Sequence, residues 1–250
     1  MARQPIIETR DLTKTYGPYR AVSGLNIRVE AGEVFGFLGP NGAGKTTTLL
    51  MLLGLTRPSK GSASVCGLDP SRSPREIKKR VGYLPENVGF YGDMTAIESL
   101  QYVAALNGIP KETAHERMEE LLQLVGLETD PRKRTGAFSR GMKQRLGVAE
   151  VLIKDPDVLF LDEPTLGLDP EGAIQLIDLI QSLNQNRGMT VLLSSHNLYQ
   201  VQRISNRVGI MIDGSLVADG SIESLAEAKF GLGEKEYTLE EVYMKYFQEV

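Results

Sequence analysis

Short apolar runs separated by longer amphipathic stretches organise this chain. Residues 33–38 (EVFGFL) form one such run, followed at once by the Gly-rich segment 39–44 and an apolar helix predicted over Thr46–Leu53. Val158–Leu161 and Val191–Leu193 are further runs of strand length, and Ile174–Leu183 between them carries a helical pattern. Strands apolar at every position are buried on both faces, so this alternation predicts an α/β chain with a mostly parallel sheet covered by helices on each side. Residues 21–30 (AVSGLNIRVE) alternate instead, with Leu25, Ile27 and Val29 on one face, which predicts a single strand in an N-terminal antiparallel β part. Asp213-Gly214 between Val208–Ile212 and Ser215–Ala218 is a hairpin signal.

From about Asn87 to Lys154 strand patterns give way to helical ones. The clearest is Lys111–Val125, where Met118, Leu121, Leu122 and Val125 share one face and Gly126 ends the helix. The expected organisation is one domain: residues 1–86 and 155–220 form an α/β core, 87–154 an inserted helical lobe, and 221–250 a short helical extension (Ile222–Lys229 and Leu239–Phe247).

Composition narrows the functions available. A chain of 250 residues, 41% of them hydrophobic, can bury a core without covalent staples. Lys plus Arg number 28 against 32 for Asp plus Glu, so the net charge is −4, a poor basis for gripping nucleic acid. A single cysteine, Cys66, excludes a disulfide framework and suits a reducing compartment. The N-terminal stretch MARQPIIETRDLTKTYG lacks the apolar region of a secretion signal, and no apolar run is long enough to span a bilayer. The expectation is a soluble chain whose membrane role, if any, comes through a partner.

The sharpest chemical signal is Gly39-Pro40-Asn41-Gly42-Ala43-Gly44-Lys45-Thr46, which fits GxxxxGK[ST] between a predicted strand and a predicted helix. Its glycines let successive backbone N–H groups wrap an anion, and the helix N-terminus adds partial positive charge. Lys45 is expected to reach the β- and γ-phosphates, and the Thr46 hydroxyl to ligate Mg²⁺. The second signal is Asp162-Glu163 at the end of the apolar run Val158–Leu161, where open α/β sheets bind ligands. There Asp162 is expected to hold Mg²⁺ and Glu163 to polarise an attacking water. Together the two motifs point to nucleoside triphosphate hydrolysis.

With these motifs and the segments around them, nearly the whole chain resembles the ATP-binding cassette (ABC) ATPases, whose core is the P-loop NTPase fold. Phe138-Ser139-Arg140-Gly141-Met142-Lys143-Gln144-Arg145 resembles their signature LSGGQ-x-Q-R, with Ser139 able to cap the following helix, whose buried stripe is Met142, Leu146, Ala149 and Leu152. The resemblance implies an ATP site built from Tyr16 (adenine stacking) and Gly39, Pro40, Asn41, Gly42, Ala43, Gly44, Lys45, Thr46 and Thr47. It implies Ser139, Arg140, Gly141 and Met142 acting on a partner's nucleotide, Asp169 in a dimer-contacting loop, and His196 as a switch residue beside Glu163 and Lys45. Two departures stand out: Arg140 and Met142 replace the usual Gly and Gln of the signature, and Glu86 stands where the family keeps a glutamine that ligates Mg²⁺.

The segments Tyr83-Leu84-Pro85-Glu86 and Phe138–Met142 resemble the exporter branch that serves sodium, drug and antibiotic efflux, and Tyr83-Leu84-Pro85-Glu86-Asn87-Val88 followed by Phe90-Tyr91 also resembles the ATPase of a copper-site maturation system. The resemblance implies ATP and Mg²⁺ as ligands, a homodimer or a pair with a homologous ATPase, and an integral-membrane permease that places the chain at the cytoplasmic face of the membrane. The other class kept open is an ABC ATPase without a permease, as in iron–sulfur assembly. Three remaining candidates read as structural: Cys66 as a buried strand residue, His115 as a solvated helix position, and Arg132-Lys133-Arg134 as a solvated loop, with contact to the signature loop or a headgroup as the alternative for the last.

Overall fold

The computed structural model describes residues 5–128, 132–231 and 237–248; the parts of the N-terminal stretch, the helical insert and the C-terminal extension that fall elsewhere lie outside the described residues. The chain opens with strands β1 (Ile7–Tyr16), β2 (Tyr19–Leu25), β3 (Arg28–Val29) and β4 (Val34–Leu38), then helix α1 (Lys45–Leu52). Strand β5 (Lys60–Val65), α2 (Pro74–Arg80) and β6 (Val81–Leu84) follow. Next come α3 (Ala96–Leu106), α4 (Lys111–Leu124) and α5 (Arg140–Leu152), without an intervening strand among the described residues. The chain continues through β7 (Val158–Asp162), α6 (Pro170–Arg187), β8 (Thr190–Ser195), α7 (Leu198–Ile204), β9 (Arg207–Ile212) and β10 (Ser215–Gly220), and ends in α8 (Ile222–Phe230) and α9 (Leu239–Gln248).

Two sheets result. The larger runs β10-β9-β4-β8-β7-β6, with all neighbours parallel except the hairpin pair β9–β10. The smaller is antiparallel, with β1 pairing β2, β3 and β5. Successive residues of the central strands feed opposite cores, as the pleat requires. Leu38, Leu159, Leu161, Val191 and Leu193 face the cluster that takes in α3–α6, whereas Phe35, Phe37, Phe160 and Leu192 face the one shared with α1 and the small sheet. The continuous apolar strands are therefore those buried on both sides.

Local chemistry accounts for the element ends. Helix α3 starts in a capping box: Glu98 N–H donates to Thr95 Oγ1 at 3.2 Å, and Thr95 N–H donates to the Glu98 carboxylate at 2.7 Å. Helix α4 buries Met118, Leu121 and Leu122, with Val125 buried at its cap. The turn between β9 and β10 places Asp213 at φ 46° and Gly214 at φ 79°, the geometry a two-residue hairpin demands.

Two sequence expectations are corrected. Residues 21–30 do not form one strand, although Leu25, Ile27 and Val29 are all buried. Asn26 breaks it: its Oδ1 accepts from Asp11 N–H at 2.9 Å and its Nδ2 donates to Gly24 O at 2.9 Å. Thr9 Oγ1 donates to Leu25 O and accepts from Ile27 N–H, so the chain crosses β1 between its two pairings. Cys66 is not a buried strand residue. It is half-buried at φ 52° in a turn with Gly67 that closes the Val65–Leu68 bridge, and burial pushes its thiol up.

Candidate functional site

The parallel register decides where the chemistry collects. Leu38 of β4 pairs with Ser195 of β8, and Ser194 pairs with Asp162 of β7, so three adjacent strands end at one level. The segment after β4 turns there into α1. Gly44 caps α1 at φ 100°, in the left-handed region, and a Cβ would come within 2.3 Å of Ala21 O, so only glycine fits. The first turn of α1 has no acidic residue, which leaves its N–H groups and dipole for an external anion.

Lys45 is 5% exposed and curls back over the loop, its Nζ donating to Gly39 O at 2.7 Å and Pro40 O at 3.2 Å. The same ammonium lies 3.3 Å from Glu163 Oε1, an oxygen that is buried and makes no hydrogen bond. The other oxygen, Oε2, is 2.8 Å from His196 Nδ1 and accepts from His196 N–H at 3.3 Å. Glu163 is thus held between two cationic or proton-bearing groups, on a backbone at φ 47°. That left-handed conformation is costly for a non-glycine residue, and here it is fixed by Glu163 N–H donating to Ser194 O at 3.0 Å. Its neighbour Asp162 is 2% exposed and accepts from Ser194 Oγ.

A cleft of about 340 Å³ opens over this loop, with Tyr16, Tyr19, Lys45, Thr46, Glu86 and Glu163 among its walls. Tyr16 and Tyr19 pair across the β1–β2 turn, Tyr19 Oη donating to Gly42 O at 3.2 Å and Lys14 Nζ lying 4.9 Å from the Tyr16 ring centre. Asn41, Gly42, Ala43, Gly44 and Thr47 also line it. The hydroxyl of Thr46 makes no hydrogen bond among the described residues, and Thr46 is exposed to the cleft. No group of three or more His, Cys, Asp or Glu side chains among the described residues forms a self-sufficient metal site. The donor set present, a hydroxyl and carboxylates, is that of a hard cation shared with substrate phosphates.

The structure brings Tyr16, Lys45, Thr46, Glu86, Asp162, Glu163 and His196 to one end of the sheet. Ser139, Arg140, Gly141 and Met142 do not line the cleft. Ser139 caps α5, its Oγ accepting from Met142 N–H at 3.2 Å. Arg140, exposed at the first turn of α5, lies over Gly167, where a Cβ would sit 2.5 Å from its Nη1. Asp169 caps α6 without a side-chain hydrogen bond, close to a second depression that includes Leu166, Leu168 and His196.

For the basic loop the structure favours the alternative reading, contact with the signature loop, over a solvated loop. Lys133 is not simply solvated: its Nζ is 3.8 Å from Met142 Sδ and 6.0 Å from the Phe138 ring centre, so it braces the segment around Ser139. His115 is exposed on α4, 3.6 Å from Glu119. Tyr19 and Ser194 escaped the sequence reading. The pair of tyrosines flanking Gly17-Pro18 was the available signal for the first, and nothing local marked the second.

Comparison with known proteins adds the following. Residues 22–166 match a family described as ABC transporter. The bacitracin transport ATP-binding protein BcrA of Bacillus licheniformis is 45% identical over 86% of this chain and 69% of its own length. The Nod factor export ATP-binding protein I of Burkholderia lata is 40% identical over 90% of this chain and 74% of its own length. A solved structure of the ATP binding subunit of an ABC transporter is 28% identical, covers 97% of this chain and 99% of its own, and superposes with a TM-score of 0.86. A dimeric ATP-binding cassette in a post-hydrolysis state bound to ADP and Pi shares the fold, with 24% identity, 86% and 98% coverage, and a TM-score of 0.77.

Proposed function

The chain belongs to the ABC transporter family, and from that premise we propose that it is the ATP-hydrolysing subunit of an exporter, working as a dimer beneath a separate integral-membrane permease. The observation that carries the reading is Glu163, held by Lys45 on one oxygen and by His196 on the other at the mouth of a phosphate-binding loop. The exporter assignment takes its support from the relatives that serve bacitracin transport and Nod factor export. No helix among the described residues is long and apolar enough to cross a membrane, so the permease is a separate chain in this reading.

Each residue has a task. The N–H groups of Gly42 to Thr46 and the α1 dipole bind the β-phosphate, and Lys45 exchanges its contacts within the chain for the γ-phosphate oxygens. Tyr16 stacks on the adenine, with Tyr19 bracing the loop through Gly42. Glu163 takes the proton of the attacking water at its Oε1, the oxygen without a hydrogen bond in the free chain. With its proton on Nδ1, His196 donates to Glu163 Oε2 and fixes the carboxylate. Thr46, Asp162 and Glu86 are the oxygen donors that would hold Mg²⁺, directly or through water. When bound, that ion neutralises the charge on the β- and γ-phosphate oxygens.

The signature residues of this chain do not line its own cleft, and the reading needs donors that face the γ-phosphate from the far side. In this proposal they come from Ser139, Gly141 and the α5 N-terminus of a second subunit, either a copy of this chain or a homologue, with Asp169 at the contact between them. The test is recovery of the tagged chain from its native membranes in mild detergent, with partners identified by mass. A stoichiometric polytopic protein is the expected result. Recovery with soluble partners alone would overturn the exporter reading.

A further inference from the structure

Helix α9 lies far along the chain from the phosphate-binding loop, yet it packs on α7, which begins two residues after His196. The start of α9 is specified locally. Thr238 N–H donates to Glu241 Oε2 at 2.9 Å and Glu241 N–H donates to Thr238 Oγ1 at 3.3 Å, a capping box. A further first-turn donor is met from outside the helix: Leu239 N–H donates to Gln202 Oε1 of α7 at 2.9 Å. Leu239 and Val242 are fully buried, in the same cluster as Val201 and Ile204 of α7.

Helix α7 has only 7 residues, too few to be stable without packing. Besides α9 it packs on β4, where a Cβ at Gly36 would come within 2.3 Å of Val201 Cγ1 and 2.7 Å of Ser205 Oγ. Its N-terminus closes the turn through His196. Asn197 N–H donates to Ser195 Oγ at 3.0 Å, and Asn197 Oδ1 caps α7 by accepting from Gln200 N–H at 3.2 Å. The Gln200 side chain then reaches the loop of Glu163, its Oε1 accepting from Thr165 Oγ1, two residues beyond that carboxylate. Thr165 is buried, and Leu166 N–H closes the same loop on Glu163 O at 3.0 Å. One short helix therefore carries two glutamine acceptors: Gln200 holds the loop of Glu163, and Gln202 holds α9. The phosphate-binding loop takes no hydrogen bond from α7 among the described residues.

We propose that α9 is a positioning clamp for the hydrolytic site. It steadies α7 through Gln202, and α7 keeps Glu163 and His196 in register through Gln200. Loosening α9 slows hydrolysis while ATP still binds. This rests on the reading of Glu163 as the base, and it adds Gln200 and Gln202 as positioning residues.

The test measures kcat, KM and MgATP affinity of the full chain, per folded molecule, for Gln202→Leu, Gln200→Leu, the two combined, and Gln202→Glu. Leucine removes the acceptor at similar size, whereas glutamate keeps it. A small displacement of reacting groups is costly, so Gln202→Leu should lower kcat by about three- to tenfold and Gln200→Leu by about tenfold or more, with MgATP affinity unchanged. Both act through α7, so the combined variant should lose no more than Gln200→Leu alone, a non-additivity that a general loss of stability does not produce. Gln202→Glu should keep the wild-type kcat. Val242→Asp, which undocks α9 more severely, should lower kcat at least as far as Gln202→Leu. A wild-type kcat in Gln202→Leu would overturn the inference whether or not Val242→Asp folds, as would a loss of ATP affinity equal to the loss of kcat, or effects of the two glutamines that simply multiply. Hydrolysis by Glu163→Gln at the wild-type rate would instead remove the reading of that residue as the base, and this inference with it.

Discussion

Glu163 and Glu150 are both carboxylates taken out of water, and the chain treats them in opposite ways. Around Glu163 it supplies compensation from its own residues, an ammonium at 3.3 Å from one oxygen and an imidazole at 2.8 Å from the other. Around Glu150 it supplies none among the described residues, and burial alone acts on the group. A charge needed for chemistry is preorganised, because its geometry must be right before the substrate arrives. A charge buried without such compensation is a cost to the free chain. The difference separates a cleft that works on a small anion from a groove that leaves its one carboxylate uncompensated among the described residues.

The largest effect that would sharpen this contrast is Glu163→Gln. Removing the base should lower steady-state phosphate release by roughly 10²–10⁴-fold while nucleotide binding persists; activity near wild type would break the assignment. Lys45→Ala removes the ammonium that both anchors phosphate and offsets Glu163, so it should lose measurable ATP binding as well as turnover, as read by calorimetric titration with MgATP.

On the other side of the comparison, Glu150→Leu should stabilise the isolated chain. A native carboxyl titrating near 7, above its ordinary range, means that the folded chain binds more protons than the unfolded one between about pH 4.5 and 7. Stability is therefore lost as pH rises through that window, and the full cost, about 3 kcal/mol, is present above it. Urea midpoints should favour Glu150→Leu at pH 8 and converge with wild type near pH 4.5. The smallest effect expected is at Glu86, where Glu→Gln should leave nucleotide affinity intact and change turnover or its coupling to transport by a few-fold. Unchanged hydrolysis and transport would remove any special role for that carboxylate.

What was legible in the sequence follows from how local each feature is. The phosphate-binding loop is contiguous from Gly39 to Thr46, and the strand and helix that frame it adjoin it, so motif and context could be read together. Asp162-Glu163 was visible for the same reason. The small sheet was barely visible, because β1 (IETRDLTKTY) and β5 (KGSASV) are mostly polar and their pairing joins Ile7 to Val65, far apart in the chain. The support that Ser194 gives Asp162 and the seat of Arg140 on Gly167 also depend on contacts between distant segments. Glu150 did leave a mark, as the one charge in the run Leu146–Ile153, though only the fold shows that it faces a groove.

The measurement that bears most directly on the ATP-driven dimer is the mass of the Glu163→Gln chain in solution, by sedimentation or light scattering, with MgATP and with MgADP. A species of twice the monomer mass with MgATP, reverting to monomer with MgADP, is the predicted result. A monomer under both conditions, with ATP shown to be bound, would contradict a site completed by Ser139 and Gly141 of a second subunit.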